Sequence, residues 1–247
     1  MQFRVIPLSV NSGYMNMAID EVLLNSSNPV IRFYDWMPSS VSFGFFQNVS
    51  KVNVGNCKKL NVDYVRRITG GGSILHDNNK EITYSVIAPL SLYSKNLVEA
   101  YKEICKPILD TLSYLGLKPS ISNANDIAVN GKKISGNAQV RRENALLQHG
   151  TLIYDVDFEK MLNVLNTNLS LDNVNSRITF VKEHFDISKD GLYKILKENF
   201  CKKDHFFDSL TEDELSLAQE LAENKYKTSE WNNGTNKEKL KEACYLS

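Results

Sequence analysis

The stretch R-R-I-T-G-G-G-S-I-L-H-D, Arg66 to Asp77, decides how the rest of the chain is read. Three consecutive glycines, Gly70, Gly71 and Gly72, stand between the basic pair Arg66–Arg67 and the pair His76–Asp77. Glycine has no Cβ, so the run can take backbone angles closed to other residues and let a ligand approach the main chain. Its N–H groups can cradle a carboxylate or phosphate; a flexible turn is the other reading of the same triplet. Apolar, β-branched flanks (Tyr64, Val65 and Ile68 before, Ile74 and Leu75 after) predict strands on either side.

Toward the N-terminus, Val41 to Gln47 (V-S-F-G-F-F-Q) and Val30 to Trp36 read as strands separated by Pro38. Gly44 marks a bulge, a close ligand, or simply a weakly packed strand position. Met17, Ala18 and Val22, with neighbouring Ile19 and Leu23, form a helical stripe, and Val5 to Leu8 a short strand.

Toward the C-terminus, Glu81 to Ala88 alternates polar and apolar side chains, as a half-buried strand does. Leu97, Tyr101, Ile104, Ile108 and Leu112 recur at helical spacing, with a bend at Pro107 and a stop at Gly116. Asn130-Gly131 between β-type residues predicts a two-residue hairpin. Alternation then sets Ile127, Val129 and Ile134 on one face and Asp126, Ala128, Lys133 and Ser135 on the other. Lys133 beside Asp126 is either a charged group aimed at a ligand or an incidental solvated pair. Ala145 to Asp155 is a further strand interrupted by His149-Gly150, the histidine being structural or functional. Beyond it the chain turns helical and polar, with a capping box at Thr211/Glu214. Trp231 onward reads as a loop and a charged tail.

Composition removes several classes. With 29 basic and 29 acidic residues the net charge is zero, which demands neither nucleic acid nor membrane as partner. Four scattered cysteines without a C-x-x-C pair fit a reducing compartment and argue against a zinc site or disulfide frame. No signal peptide and no apolar run long enough to span a bilayer is present, so a soluble, cytoplasmic protein is expected. There is no G-x-x-x-x-G-K-[ST], no G-x-G-x-x-G and no G-x-S-x-G, which disfavours P-loop, Rossmann and α/β-hydrolase chemistry. The residues by themselves point to a binder of an anionic small molecule, or an acyl-transfer enzyme in which Lys133 stabilises developing negative charge.

R-R-x-T-G-G-G-x-x-x-H-D, then N-D-I-x-V-x-G-K-K-I-x-G-x-A-Q about 50 residues on, then H-G-T-L, resembles the lipoate–protein ligase and octanoyltransferase family, which shares its catalytic fold with biotin–protein ligases. M-A-I-D-E near the start and K-Y-K-T-S-E-W-N-N-G near the end extend the resemblance over nearly the whole chain. It implies an α/β (α+β) fold with a mixed, mostly antiparallel sheet flanked by helices. A single catalytic domain over 1–247 is expected, with a core of about 1–190 and a C-terminal helical segment of about 191–247.

The resemblance also implies activation of lipoate by ATP and magnesium to lipoyl-AMP, and transfer of the lipoyl group to a lysine of a lipoyl carrier domain. The carriers would be the E2 subunits of 2-oxoacid dehydrogenases and the glycine cleavage H protein. The alternative is ATP-independent transfer of a preformed octanoyl or lipoyl group; a non-catalytic carrier-binding protein ranks last. Carried over by motif, Arg67, Gly70, Gly71 and Gly72 would line the acyl tunnel and hold the adenylate phosphate, with His76 and Asp77 shaping the loop. Asn125 and Asp126 would face the adenylate, Asp126 also binding magnesium. Lys133 would lie against the acyl carbonyl and phosphate, Ala138 and His149 would occupy pocket positions, and Gly44 and Phe45 would contact the acyl chain.

Two departures bear on mechanism. Ser120 to Asn125 carries no cysteine where acyl-enzyme transferases of this superfamily place one, which disfavours a thioester intermediate. The chain also stops soon after Trp231 to Gly234, where long ligases continue into an accessory domain; this resembles two-component ligases whose accessory subunit is separate. Arg141 and Arg142 are candidates for a basic rim that meets an acidic carrier.

Overall fold

The computed structural model describes residues 1–142 and 144–234. The charged tail expected beyond Gly234, including Cys244, lies outside the described residues.

Strand β1 (Phe3–Asn11) leads through Ser12, whose hydroxyl accepts from the Met15 amide, into helix α1 (Gly13–Val22). Strands β2 (Val30–Trp36) and β3 (Ser40–Phe43) follow, then α2 (Val54–Lys59), β4 (Asp63–Arg66), β5 (Ile74–His76) and β6 (Glu81–Pro89). Helix α3 (Leu97–Tyr114) keeps Pro107 inside it and is followed by Gly116 at φ +83°, a C-terminal stop of the expected kind. Next come β7 (Pro119–Ser122), β8 (Asp126–Val129), β9 (Lys132–Arg142) and β10 (Ala145–Ile153). The remainder is mostly helical: α4 (Phe158–Val164), α5 (Leu171–Asn175), α6 (Val181–His184) and α7 (Lys189–Phe200), then β11 (His205–Phe207), α8 (Glu212–Leu221) and α9 (Ser229–Asn233). Thr211 and Glu214 form the capping box of α8. Trp231 was expected in a loop; it sits instead in α9, capped by Thr228 and buried.

An eight-stranded sheet runs β11-β1-β2-β6-β10-β9-β8-β7, and β1 pairs in parallel with β2 and β11 while the other pairs are antiparallel. A three-stranded sheet, β4-β3-β5, lies apart from it. On one face of the large sheet, Ile82, Tyr84 and Val86 of β6 pack with Ile104, Ile108 and Leu112 of α3 and Leu192, Leu196 and Phe200 of α7. On the other side, Met17, Ala18 and Ile19 of α1 form a second cluster with Ala218 of α8 and Trp231 of α9. A third cluster joins Val41, Phe43 and Leu75 of the small sheet to Cys57 and Val164. No helix among the described residues is long and apolar enough to cross a membrane.

Two expectations about faces change. Glu81 to Ala88 alternates as read, but every one of these residues is buried. The polar set Glu81, Thr83 and Ser85 faces side chains of the cleft, not solvent. In the hairpin, Ala128 pairs with Lys133 but Ile127 pairs with Ser135, so Ile134 is an extra, bulged residue. Beyond a bulge the alternation inverts. Ser135 therefore joins the buried side, and Gly136, opposite Asp126, takes the place expected for Ser135 beside Lys133.

Candidate active site

A cavity of about 130 Å³ opens where β2, β6, β9 and β10 face the small sheet. Its inner wall carries Arg67, Ser42, His76, Trp36, Tyr34 and His149, all buried. Toward solvent it is lined by Asn125 and by Lys133, whose side chain is 38% exposed.

Arg67 has a different occupation from the one expected. Its Nη2 donates to the carbonyls of Gly70 (2.7 Å) and Gly72 (2.8 Å), Nε to Thr69 Oγ1 and Nη1 to Ser42 Oγ. The guanidinium thus folds the glycine loop around itself, with Gly71 at φ +95°. Burial lowers its pKa to about 10, which leaves it cationic at neutral pH. Gly71 and Gly72 line the cavity; Gly70 does not.

Two histidines are held in parallel relays. His76 Nδ1 donates to Glu81 Oε1 (2.6 Å), so Nε2 accepts from Ser42 Oγ (2.8 Å), and Trp36 stacks on the ring at 3.9 Å. His149 Nδ1 donates to Asp20 Oδ2 (3.1 Å), so Nε2 accepts from Thr69 Oγ1 (2.7 Å). A hydroxyl, an imidazole and a carboxylate in line are the parts of an activated nucleophile. Thr69, however, is fully buried, takes an Arg67 N–H and does not line the cavity. Burial opposes the charge of Asp20, but His149, Arg32 and Tyr34 together hold its pKa below the usual carboxylate range. Burial outweighs Asp20 at His149 and lowers the imidazole pKa, so the ring is neutral at pH 7.

At the mouth, Lys133 Nζ lies 2.8 Å from Asp126 Oδ1. The Lys133 backbone is gripped on its outer side, its N–H donating to Arg177 O and its carbonyl accepting from Thr179 N. Asn125 and Asn137 exchange side chain–backbone bonds (2.6 and 2.8 Å) and tie the β7–β8 turn to β9. A second cavity, about 170 Å³ and mainly apolar, shares Ser73, Ile74 and Lys133 with the first and is also lined by Asp77 and Asp155.

The structure brings Arg67, Gly71, Gly72, His76, Asn125, Lys133, Ala138 and His149 to one cavity. It does not bring Gly44, Phe45 or Asp77 there. Gly44 abuts the carbonyl of Gly71, Phe45 is buried against Trp231, and Asp77 accepts from Ser39 and Lys160. Asp126, expected to bind magnesium, is taken up by Lys133, and the described residues gather no group of three His, Cys, Asp or Glu side chains suited to a metal. Arg141 and Arg142 are anchored inward instead of forming a free rim: Arg141 donates to the carbonyls of Ser94 and Lys95, and Arg142 to Glu21. Cys57 and Cys105 are buried and no cysteine among the described residues lines the cavity; burial pushes the Cys105 thiol up to about 11.

Sequence reasoning assigned no role to Asp20, Ser42, Thr69, Trp36, Asn137 or Gly136. Asp20 did leave a signal, an acid inside the apolar stripe of α1, because a charge buried there requires partners. It has them in Arg32, Tyr34, Ser85 and His149.

The family model of the lipoyl protein ligase A/B catalytic domain matches residues 12–201. The chain belongs to this family. It is 33% identical to the octanoyltransferase LipM of Clostridioides difficile (strain 630), over 94% of this chain and 98% of that one, and 32% identical to LipM of Bacillus subtilis (strain 168), over 93% and 97%. Among solved structures, it resembles a bipartite lipoate protein ligase from Thermoplasma acidophilum, described with its E2 lipoyl domain (TM-score 0.85, 28% identity, 95% of this chain and 97% of that one). It also resembles a lipoate-protein ligase A bound with ATP (TM-score 0.84, 28% identity, 95% and 100%). The expected fold, a mostly antiparallel mixed sheet flanked by helices, is therefore that of the lipoate ligases. As a member of this family the protein is an enzyme of lipoyl or octanoyl transfer.

Proposed function

We propose that the protein transfers an octanoyl group, already activated as a thioester on a carrier, to the ε-amine of a lysine on a lipoyl domain. The observation that carries this reading is Lys133, an ammonium held at the mouth of the cavity by Asp126 and by a backbone whose N–H and carbonyl are both bonded on its outer side. With an acyl chain in the cavity and its carbonyl at the mouth, the incoming amine adds to the carbonyl carbon. Lys133 then stabilises the oxyanion, and as the intermediate collapses the thiolate departs and takes up the proton that the amine gives up. The relatives' name, octanoyltransferase, supports transfer of an octanoyl group ahead of ATP-dependent ligation of lipoate. Acceptors of the E2 and glycine cleavage H type, and a catalytic unit spanning the whole chain, belong to the same proposal.

A second reading, ATP-dependent ligation of lipoate or octanoate, draws on two observations. No cysteine among the described residues lines the cavity, so a relay through an enzyme thioester lacks its nucleophile there. The second cavity beside Lys133 offers a compartment for a leaving group such as adenylate. Magnesium brought in with nucleotide phosphates needs only one or two carboxylates. Asp126 could serve only by giving up Lys133, so no step is assigned to the ion. A separate accessory subunit belongs with this reading.

Intact-mass measurement of an apo lipoyl domain separates the two. The protein is incubated with an octanoyl-loaded acyl carrier protein, or with octanoate or lipoate plus ATP-Mg. Modification in the first arm alone supports thioester transfer. Modification only with ATP selects the ligase, and no modification in the first arm overturns thioester transfer.

A further inference from the structure

We infer that Gly136 is a positioning residue whose missing side chain holds open the path by which Lys133 reaches Asp126. The bulge at Ile134 sets the geometry, since the extra residue turns Gly136 to the face that carries Lys133 and Asp126. A Cβ built on Gly136 would stand 2.6 Å from both Cε and Nζ of Lys133 and 3.6 Å from Asp126 Oδ1. Contacts of 2.6 Å are far inside van der Waals distance, so one partner must move. The Lys133 backbone cannot give way easily, because its N–H and carbonyl are bonded to Arg177 and Thr179. What yields is the end of the lysine side chain, which has four rotatable bonds and a half-exposed tip. A methyl group at this position therefore displaces the ammonium from the mouth of the cavity while leaving the sheet intact.

The catalytic consequence rests on the acyl-transfer reading above; the contact itself does not. Gly136→Ala is made in the wild-type chain, where transfer, Lys133 labelling and the thermal midpoint are measured, and again in a Lys133→Ala chain, where the midpoint alone is read. Transfer to a lipoyl domain should fall ~10²–10³-fold in kcat, the loss typical of removing one charge-stabilising group. Reaction of Lys133 with an amine-selective acylating reagent, mapped by peptide mass spectrometry against the other lysines, should rise once the Asp126 pairing is broken. The thermal midpoint should stay level in both chains, or fall only where Lys133 is present, which locates the crowding on that side chain.

Wild-type turnover together with unchanged Lys133 labelling would overturn the inference. So would an equal fall in midpoint in both chains, because the methyl would then be pressing on backbone. If even the wild-type chain transfers nothing, the reaction assignment fails, and the labelling and the paired midpoints still decide the role of Gly136.

Discussion

Gly44 and Gly71 meet backbone to backbone: a Cβ on Gly44 would lie 2.1 Å from the Gly71 carbonyl oxygen. The turn after β3 is thus the floor on which the glycine loop rests. Gln47 Oε1 ties the two by accepting from the Gly44 amide and from Ser73 Oγ, each at 3.0 Å. Gly44→Ala should force turn and loop apart at about 1–3 kcal/mol, a fall of ~2–4 °C in Tm for each kcal/mol. An unaltered melting curve would mean that the Gly71 carbonyl moves aside at no cost.

Lys133→Ala should cut lipoyl-domain modification ~10²–10³-fold with little effect on folding, because the half-exposed side chain supports charge and does not fill core. Near-normal turnover in a folded variant would remove Lys133 from the mechanism.

Asn232 secures α9 to the glycine-loop strand. Its Oδ1 accepts from the Arg66 amide (2.7 Å), and its Nδ2 donates to the carbonyls of Tyr226 and Thr228. Arg66 in turn donates to the carbonyls of Phe45 and Gln47. Asn232→Ala should cost ~1–3 kcal/mol for the buried groups it strands, and should speed amide exchange at residues 44–47 and 70–73. Lower stability without faster exchange there would reduce α9 to a brace.

His149 supplies a pH test. Its folded pKa lies below the ordinary 6.5, so as pH falls through 6.5 the unfolded chain takes up a proton that the folded one refuses. Stability must therefore drop with falling pH from about 6.5 downward. Asp20, also lowered, adds its own loss in the same direction only as pH falls below its ordinary 3.8. Denaturant midpoints between pH 7 and 5 should decline less for His149→Gln than for the wild type. Parallel declines would place the acid sensitivity elsewhere.

Periodicity was a sound guide to the elements and a poor one to what covers them. The alternation in Glu81 to Ala88 is real, yet its polar residues are buried because α1 and the small sheet lie over them, and a single strand carries no trace of that cover. The hairpin turn at Asn130-Gly131 was legible from local chemistry. The bulge four residues later was not, because it shows only in the register of β8 against β9. Arg67 and His149, singled out through their motifs, do line the cavity. Their partners Ser42 and Thr69 were not singled out, since a hydroxyl becomes part of a relay only when distant strands are brought together. Arg141 and Arg142 illustrate the opposite error, in which a basic pair that reads as surface turns out to be tethered.

Arg66 is reached by Trp231 and Gly234 across 165 and 168 positions of sequence. Synthesis delivers the amino end first, so β1 to β10 can leave the ribosome while these acceptors are still within its exit tunnel. A nascent chain at that stage holds every side chain that lines the cavity but not the clamp that sets the Phe45–Gln47 turn beneath the glycine loop. The Phe45–Gln47 turn thus waits for residues 231–234, and the cavity floor is set only once translation has passed that point.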